Sequence, residues 1–182
     1  MGVGVGGRGG PGAMSGDRNT TSTPIKLVLD TNVVIDWLVF DDPFMNPLRH
    51  GVRDARVTVL THAYAIAELE RVLAYPQLKL SSARQQEIFA GYQQQTTIAK
   101  MPDDFSPTQL MLPGGFPRCR DRDDEPFLAL AFHARAAALV SRDNAVFGLK
   151  TRTEKFGVTI LNVQQLIAML SEKLESVPHI IA

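Results

Sequence analysis

The sequence predicts an α/β fold, an α/β/α sandwich in which helices cover both faces of a central parallel sheet of about five strands. Short runs of aliphatic and β-branched residues, typical of buried strands, alternate with longer segments of helical periodicity between residues 25 and 175. The hydrophobic fraction of 45% and the charged fraction of 21% are those of a protein with a packed core. The length of 182 residues suits one domain of this kind.

The predicted strands are short and rich in Val, Ile, Leu and Thr, and they span residues 25–30, 56–61, 96–101, 137–141 and 158–162. The predicted helices lie between and after them, at 31–39, 43–53, 63–74 and 82–95, from about 124, at 144–150 and at 163–175. The helix at 63–74 has the clearest pattern, since Ile66, Leu69, Val72 and Leu73 fall on one side. Because strands and helices alternate throughout, we expect a parallel sheet.

Three other segments lack this periodicity. Residues 1–24 are rich in Gly, Ser and Thr, so we predict a flexible tail, and residues 176–182 are predicted to form a C-terminal tail. The folded domain should therefore span residues 25–175. Residues 102–120 contain four prolines and two adjacent glycines, which predicts a long loop of a kind that often carries function.

Composition and charge exclude several classes of protein. The single cysteine, Cys119, permits neither an internal disulfide nor a cysteine zinc site. The formal net charge of zero argues against tight, non-specific binding of nucleic acid over a broad basic surface. No stretch approaches the roughly 20 apolar residues of a membrane span, and no apolar signal region starts the chain. We therefore expect a cytoplasmic protein with no membrane partner.

Four acidic residues fall near one predicted edge of the sheet. Ligand sites of open α/β sheets lie at the carboxyl ends of the strands. Asp30 ends the first predicted strand, and Asp143 lies just beyond the fourth. Glu68 sits in the first half of the helix that leaves the second strand, close to the same edge. Asp124 begins the helix that leads into the fourth strand, so topology alone places it less directly.

Several unpaired carboxylates in one cleft repel each other, and a divalent cation resolves this repulsion. Ligands that are all oxygen favour Mg²⁺ or Mn²⁺ over zinc. Such ions are suited to the cleavage of phosphodiesters, because they activate water and stabilise the leaving oxygen.

Each acid also has a purely structural interpretation, which the sequence leaves open. Asp30 could cap a helix, and Asp143 could form a turn with the residue that follows it. Glu68 could be a solvated helix residue. The remaining acids could favour a helix N-terminus through its dipole, namely Asp121, Asp123, Asp124 and Glu125.

Four segments resemble, in order and in spacing, those of the PIN-domain nucleases. They are LVLDTNVVI (27–35), AELERVL (67–73), CRDRDDEPFLALA (119–131) and LVSRD (139–143). The branch that the chain resembles most is that of the PIN-family toxins of toxin–antitoxin systems. The resemblance covers about residues 25–170. One difference is Arg122, where this branch often has proline; the change adds a charge and alters loop stiffness but removes no acid.

The resemblance implies a sheet ordered 3-2-1-4-5, Mg²⁺ or Mn²⁺ as cofactor, and endonucleolytic cleavage of single-stranded RNA. The four acids that it implies as catalytic residues and metal ligands are Asp30, Glu68, Asp124 and Asp143, with Asp121 as an additional metal ligand. Asn32 and Ser141 match polar positions that support the ligands through hydrogen bonds. An antitoxin protein and a homodimer are the partners that the resemblance suggests.

Basic residues near these acids are candidates for contacts with phosphate. Arg120 and Arg122 precede Asp124 in the long loop, and we predict that they bind substrate. A second basic group follows the fourth strand, namely Arg142, Lys150, Arg152 and Lys155. Solvated surface charge is the alternative for each of them.

Two other functions compete with a nuclease. One is a non-catalytic module of the same fold that binds RNA or protein. The other is an α/β phosphatase whose first strand ends in an aspartate, but such an enzyme requires a second aspartate at the position of Asn32.

Overall fold

The computed structural model describes residues 1–2 and 23–175. The predicted tail at 1–24 lies almost wholly outside the described residues, and the predicted tail at 176–182 lies entirely outside them. Within the described part of the chain, no helix is long and apolar enough to cross a membrane.

The sheet has five parallel strands in the order β3-β2-β1-β4-β5. Their bounds are β1 Ile25–Leu29, β2 Val57–Thr61, β3 Thr96–Ile98, β4 Ala138–Val140 and β5 Ile160–Leu161. The predicted fold class and strand order are therefore confirmed.

Eight α-helices of the described chain surround the sheet. They are α1 Thr31–Leu38, α2 Asn46–Arg53, α3 Ala63–Leu73, α4 Ser82–Gln95, α5 Glu125–His133, α6 Asn144–Phe147, α7 Lys150–Glu154 and α8 Val163–Glu175. Short 3₁₀ turns occupy Pro43–Met45 and Pro76–Leu78.

Most predicted bounds differ by a residue at an end, and four elements differ by more. The helix predicted at 43–53 is a 3₁₀ turn at Pro43–Met45 followed by α2, which begins at Asn46. The third strand is shorter than predicted because β2 ends at Thr61, and the last contact along its edge is the 2.9 Å hydrogen bond from Ala99 N to Thr61 O. The fifth strand is likewise short beside a β4 of three residues. The single helix predicted at 144–150 is two helices, since α6 ends at Phe147 and α7 begins at Lys150.

Hydrophobic cores on both faces hold these layers together. Leu27 and Leu29 of β1 face a core shared with α1–α4 and α8, whereas Val28 between them faces a core shared with α5 and α6. This alternation follows from the two-residue period of a strand. Because both faces of β1 are buried, its carboxyl end is held rigidly at the centre of the sheet.

Candidate active site

Asp30 lies at the carboxyl end of β1, and its side chain is almost completely buried. Its Oδ1 accepts a 3.0 Å hydrogen bond from the Val33 amide, which caps α1, and its Oδ2 accepts a 3.3 Å bond from the Arg142 amide. The Ser141 hydroxyl donates to the same carboxylate. Burial raises the pKa of Asp30, and these hydrogen bonds oppose the rise. Asp30 is thus a helix cap that also joins β1 to the loop after β4.

Asp143 follows β4 at the same edge of the sheet. Its Oδ1 accepts a hydrogen bond from the Ala145 amide and caps α6, and its own amide donates to Ser141 Oγ over 3.0 Å. Since the Ser141 hydroxyl donates to Asp30, this buried serine connects the two acids. These contacts suit the supporting role predicted for Ser141, which stays a prediction.

Glu68 is half-buried on α3, and one of its oxygens lacks a partner. Its Oε2 is buried and has no hydrogen bond within the described residues. Burial raises the pKa of Glu68, and the charges of Asp123 and Asp30 add to this rise. A hydrogen bond from the Thr31 side chain opposes it. A buried carboxylate oxygen without a partner is costly, and a cation or a bound water is the usual remedy.

Asp124 is the acid whose pKa is raised by the charges of the other four acids. It immediately precedes α5, but its side chain makes no capping hydrogen bond, so helix capping does not account for it. Burial raises the pKa of Asp124 to about 7, together with the negative charges of four neighbours: Asp143, Asp121, Asp30 and Glu68. The fold therefore brings the other four predicted acids within electrostatic reach of Asp124.

The remaining predicted site residues are exposed. Asp121 accepts a 3.0 Å hydrogen bond from the Asp123 amide through Oδ1. Asn32 lies in the first turn of α1, and Arg120 and Arg122 lie in the loop before α5. The side chains of these last three make no hydrogen bond or ion pair with the described part of the chain. Their predicted roles stay predictions.

Glu125 has a structural role that the sequence did not reveal. Its buried Oε1 accepts a 3.2 Å hydrogen bond from the Cys119 amide and lies 3.0 Å from Arg118 Nε in an ion pair. This contact holds the end of the long loop against the start of α5. Cys119 Sγ in turn lies 3.9 Å from Asp124 Oδ2. Glu125 therefore positions the segment that carries Asp121 and Asp124, whereas the sequence had suggested only an interaction with the helix dipole.

His62 links the helices that carry Glu68 and Asp124. Its Nδ1 accepts a 3.0 Å hydrogen bond from the Ala65 amide and caps α3. Nε2 must then carry the proton, which it donates to the Pro126 carbonyl oxygen of α5 over 3.3 Å. Burial lowers the pKa of His62, which favours the neutral ring. The sequence held a signal for this role, because His62 directly follows the second strand as Asp30 follows the first.

The donors at this edge suit a hard divalent cation. They are carboxylate oxygens and a serine hydroxyl, the ligand type of Mg²⁺ and Mn²⁺. A positive ion would stabilise Glu68 Oε2, which has no hydrogen-bond partner within the described residues. It would also offset the repulsion between ionised Asp124 and its four acidic neighbours. Within residues 1–2 and 23–175, however, no group of three or more Asp, Glu, His or Cys side chains is arranged to hold a metal ion as it stands. The acids thus influence the charge of Asp124 without being gathered as the ligands of one ion.

A parallel sheet of order 3-2-1-4-5 between two helical layers, with acids at its carboxyl edge, defines a PIN-like α/β/α domain. The family model described as the PIN domain matches residues 26–145, which is more than half of the chain, and the protein belongs to the PIN domain family. PIN domains are usually nucleases, so a nuclease-type function on a nucleic acid follows from the family, and they typically use divalent metal ions. A comparison with curated proteins gives no match.

Proposed function

We propose that this protein is an endoribonuclease that depends on Mg²⁺ or Mn²⁺ and cleaves single-stranded RNA. The observation that carries the proposal is the position of Asp124, a half-buried acid whose charge is opposed by four other acids at the carboxyl edge of a PIN-domain sheet. Like charges gathered in this way favour binding of a divalent cation, and such a cation suits phosphodiester cleavage.

The five acids would have different roles in metal binding and catalysis. Asp30, Asp124 and Asp143 would bind the main cation, and Asp121 would assist with a second one. A bound divalent cation would supply positive charge to the phosphate and activate water. Glu68, with its partnerless oxygen, would accept a hydrogen bond from the attacking water and orient it. In-line attack on phosphorus would leave a 5′-phosphate and a 3′-hydroxyl.

Other residues would serve this site from its margin. Ser141 would hold Asp30 and Asp143 in register through the contacts described above. Asn32, exposed in the first turn of α1, would support the metal ligands through hydrogen bonds. Arg120 and Arg122 would bind phosphates, since both are exposed in the loop that carries Asp121.

The substitution Asp30→Asn tests the proposal. We expect it to lower Mn²⁺-dependent cleavage of single-stranded RNA by about a hundredfold or more, because it removes the negative charge of a proposed metal ligand at the end of the central strand. The matched control is Asp54→Asn, a surface acid at the opposite edge of the sheet, which should cleave like the wild type. Equal cleavage by the wild type and by Asp30→Asn would contradict the assignment.

Calorimetry separates this proposal from a non-catalytic module of the same fold. A nuclease of this design should bind Mn²⁺, and Asp30→Asn should weaken that binding. A wild-type protein that binds RNA but not Mn²⁺ would instead be the RNA-binding module.

We further propose, on the resemblance to PIN-family toxins, that the cleavage serves as the toxin of a toxin–antitoxin pair. An antitoxin protein would then be a partner, and the protein would form a homodimer. Induced expression should arrest growth of a bacterial host with the wild type but not with Asp30→Asn. Sedimentation of the purified protein would measure the dimer.

A further inference from the structure

Arg142 lies between the two acids that end β1 and follow β4, because its amide bonds to Asp30 and its neighbour in the chain is Asp143. We infer that Arg142, held in place by Asp36 of α1, binds a backbone phosphate of the RNA beside the acid cluster. The inference rests on the proposed nuclease function. It selects one residue from the basic group after the fourth strand and adds a residue that positions it.

The guanidinium group of Arg142 is tethered at one side only. Its Nη1 donates to Asp36 Oδ2 over 2.6 Å. The Asp36 side chain is 13% exposed, whereas that of Arg142 is 56% exposed. The more buried member of the pair is thus the acid, and the side that faces solvent is the positive one. Since the Arg142 amide is also bonded to Asp30, both ends of the residue are held.

Donors remain available on the solvent side. A guanidinium group has five N–H donors in a planar fork that matches two oxygens of a phosphate. The Nη2 and Nε atoms of Arg142 have no hydrogen bond or ion pair with the described part of the chain. A phosphate can therefore bind there without displacing Asp36.

The arginines of the long loop are less suited to the same task. Arg118 is bonded through Nε to the buried Glu125 and serves the loop itself. Arg120 and Arg122 are exposed and lack a side-chain partner within the described residues. A free arginine loses more rotamer entropy on binding a phosphate than one that is already oriented. Arg142 should therefore contribute more to affinity than either of them.

A cation at this place also answers an electrostatic need. The acid cluster repels the phosphates of RNA, and the chain as a whole has no net positive charge with which to attract them. The Arg142 amide bonds to Asp30, so its guanidinium group lies within one side-chain length of the cluster and offers two unused nitrogen donors to a phosphate there.

The experiment compares Arg142→Gln, Arg142→Lys and Asp36→Asn in the full chain. Steady-state cleavage of a single-stranded RNA with Mn²⁺ gives kcat and KM, and fluorescence anisotropy of the same RNA with Ca²⁺ gives affinity. The matched control is Arg53→Gln, since Arg53 forms a similar ion pair with Asp54 over 2.9 Å at the opposite edge of the sheet.

We expect Arg142→Gln to raise KM and weaken RNA binding by about tenfold or more, with kcat within about threefold of the wild type. The slope of log affinity against log salt should fall by about 0.7, the value for one lost phosphate contact on a single strand. Arg142→Lys should recover part of the affinity, since it keeps the charge. Asp36→Asn should act in the same direction with a smaller effect, because asparagine still accepts a hydrogen bond.

A purely structural role would appear differently. Melting temperatures of all four variants should lie within about 3 °C of the wild type, as for other exposed ion pairs. Unchanged KM and RNA affinity in Arg142→Gln would overturn the inference, as would a loss that Arg53→Gln matches or one explained by weaker Mn²⁺ binding. A wild type that never cleaves RNA, while Arg142→Gln still weakens RNA binding, would instead overturn the nuclease function and leave the phosphate contact standing.

Discussion

At the scale of single residues, the ionised side chain of Asp124 lowers the stability of the folded protein. Its carboxylate is half-buried among four other acids, and its pKa rises to about 7. The protein keeps this unfavourable charge at a position where capping of α5 does not use it. A residue that opposes folding when ionised is typical of a functional site rather than of a structural one.

Asp124→Asn should therefore stabilise the metal-free protein at pH 8. A raised folded-state pKa means that ionisation costs stability as pH rises from the unfolded value of 3.8 to about 7, and the cost is complete above that. We expect a gain of about 1 to 2 kcal/mol at pH 8, discounted for partial exposure, and a smaller one at pH 5. Urea unfolding in EDTA at both pH values measures it.

The control for this pH dependence is Asp54→Asn. A hydrogen bond from Arg53 lowers the pKa of Asp54, so that substitution should not become more stabilising between pH 5 and pH 8. An Asp124→Asn protein that gains nothing at pH 8 would show that the acids do not repel one another in solution.

At the scale of elements, the site depends on how helices begin. Asp30, His62 and Asp143 each follow a strand, and each caps the next helix through its side chain. Each of these side chains thus lies where a strand gives way to a helix, at the edge of the sheet that carries the acids. His62 also forms a hydrogen bond to α5, so it connects the helix that carries Glu68 with the helix that Asp124 precedes.

His62→Ala should lower both stability and activity. It removes the cap of α3, which typically costs about 1 to 2 kcal/mol, and it releases α3 from the Pro126 carbonyl. His62→Asn keeps a capping acceptor and should recover most of the stability. Chemical denaturation and RNA cleavage of the two variants test this, and equal stability of Ala and Asn would show that the cap contributes nothing.

At the scale of the whole molecule, metal binding should stabilise the fold. Because the acids come together only in the folded chain, the ion binds the native state in preference to the unfolded one. Mn²⁺ at about 100 times its dissociation constant should raise the melting temperature by roughly 5 to 10 °C for a domain of this size. Asp124→Asn should reduce this shift strongly, and Asp54→Asn should leave it intact. An equal shift in all three proteins would place the ion elsewhere.

Much of this architecture was predictable from local pattern. The alternation of strands and helices predicted the layered α/β fold. The bounds of α4 and the start of α8 agree with the predicted ones, and the side chains of Ser81 and Asn162 accept hydrogen bonds from the first turns of these helices. Asp30 and Asp143 were predictable at the sheet edge from strand ends alone. The strand order followed from the resemblance, which the PIN-domain match supports.

The ends of β3 and β5 were less predictable, since strand length depends on how far the neighbouring strand extends. The sequence pattern also did not predict the break between α6 and α7.

The sequence by itself determined which acids this protein has and which edge of the sheet most of them should reach, because hydrophobic periodicity and strand ends are local properties. Only the tertiary structure decided that Asp124 joins them, that Glu68 keeps a buried oxygen without a partner, and that Asp36 holds Arg142. These features arise from residues far apart in the chain, whose burial and mutual charge exist only once the layers have packed.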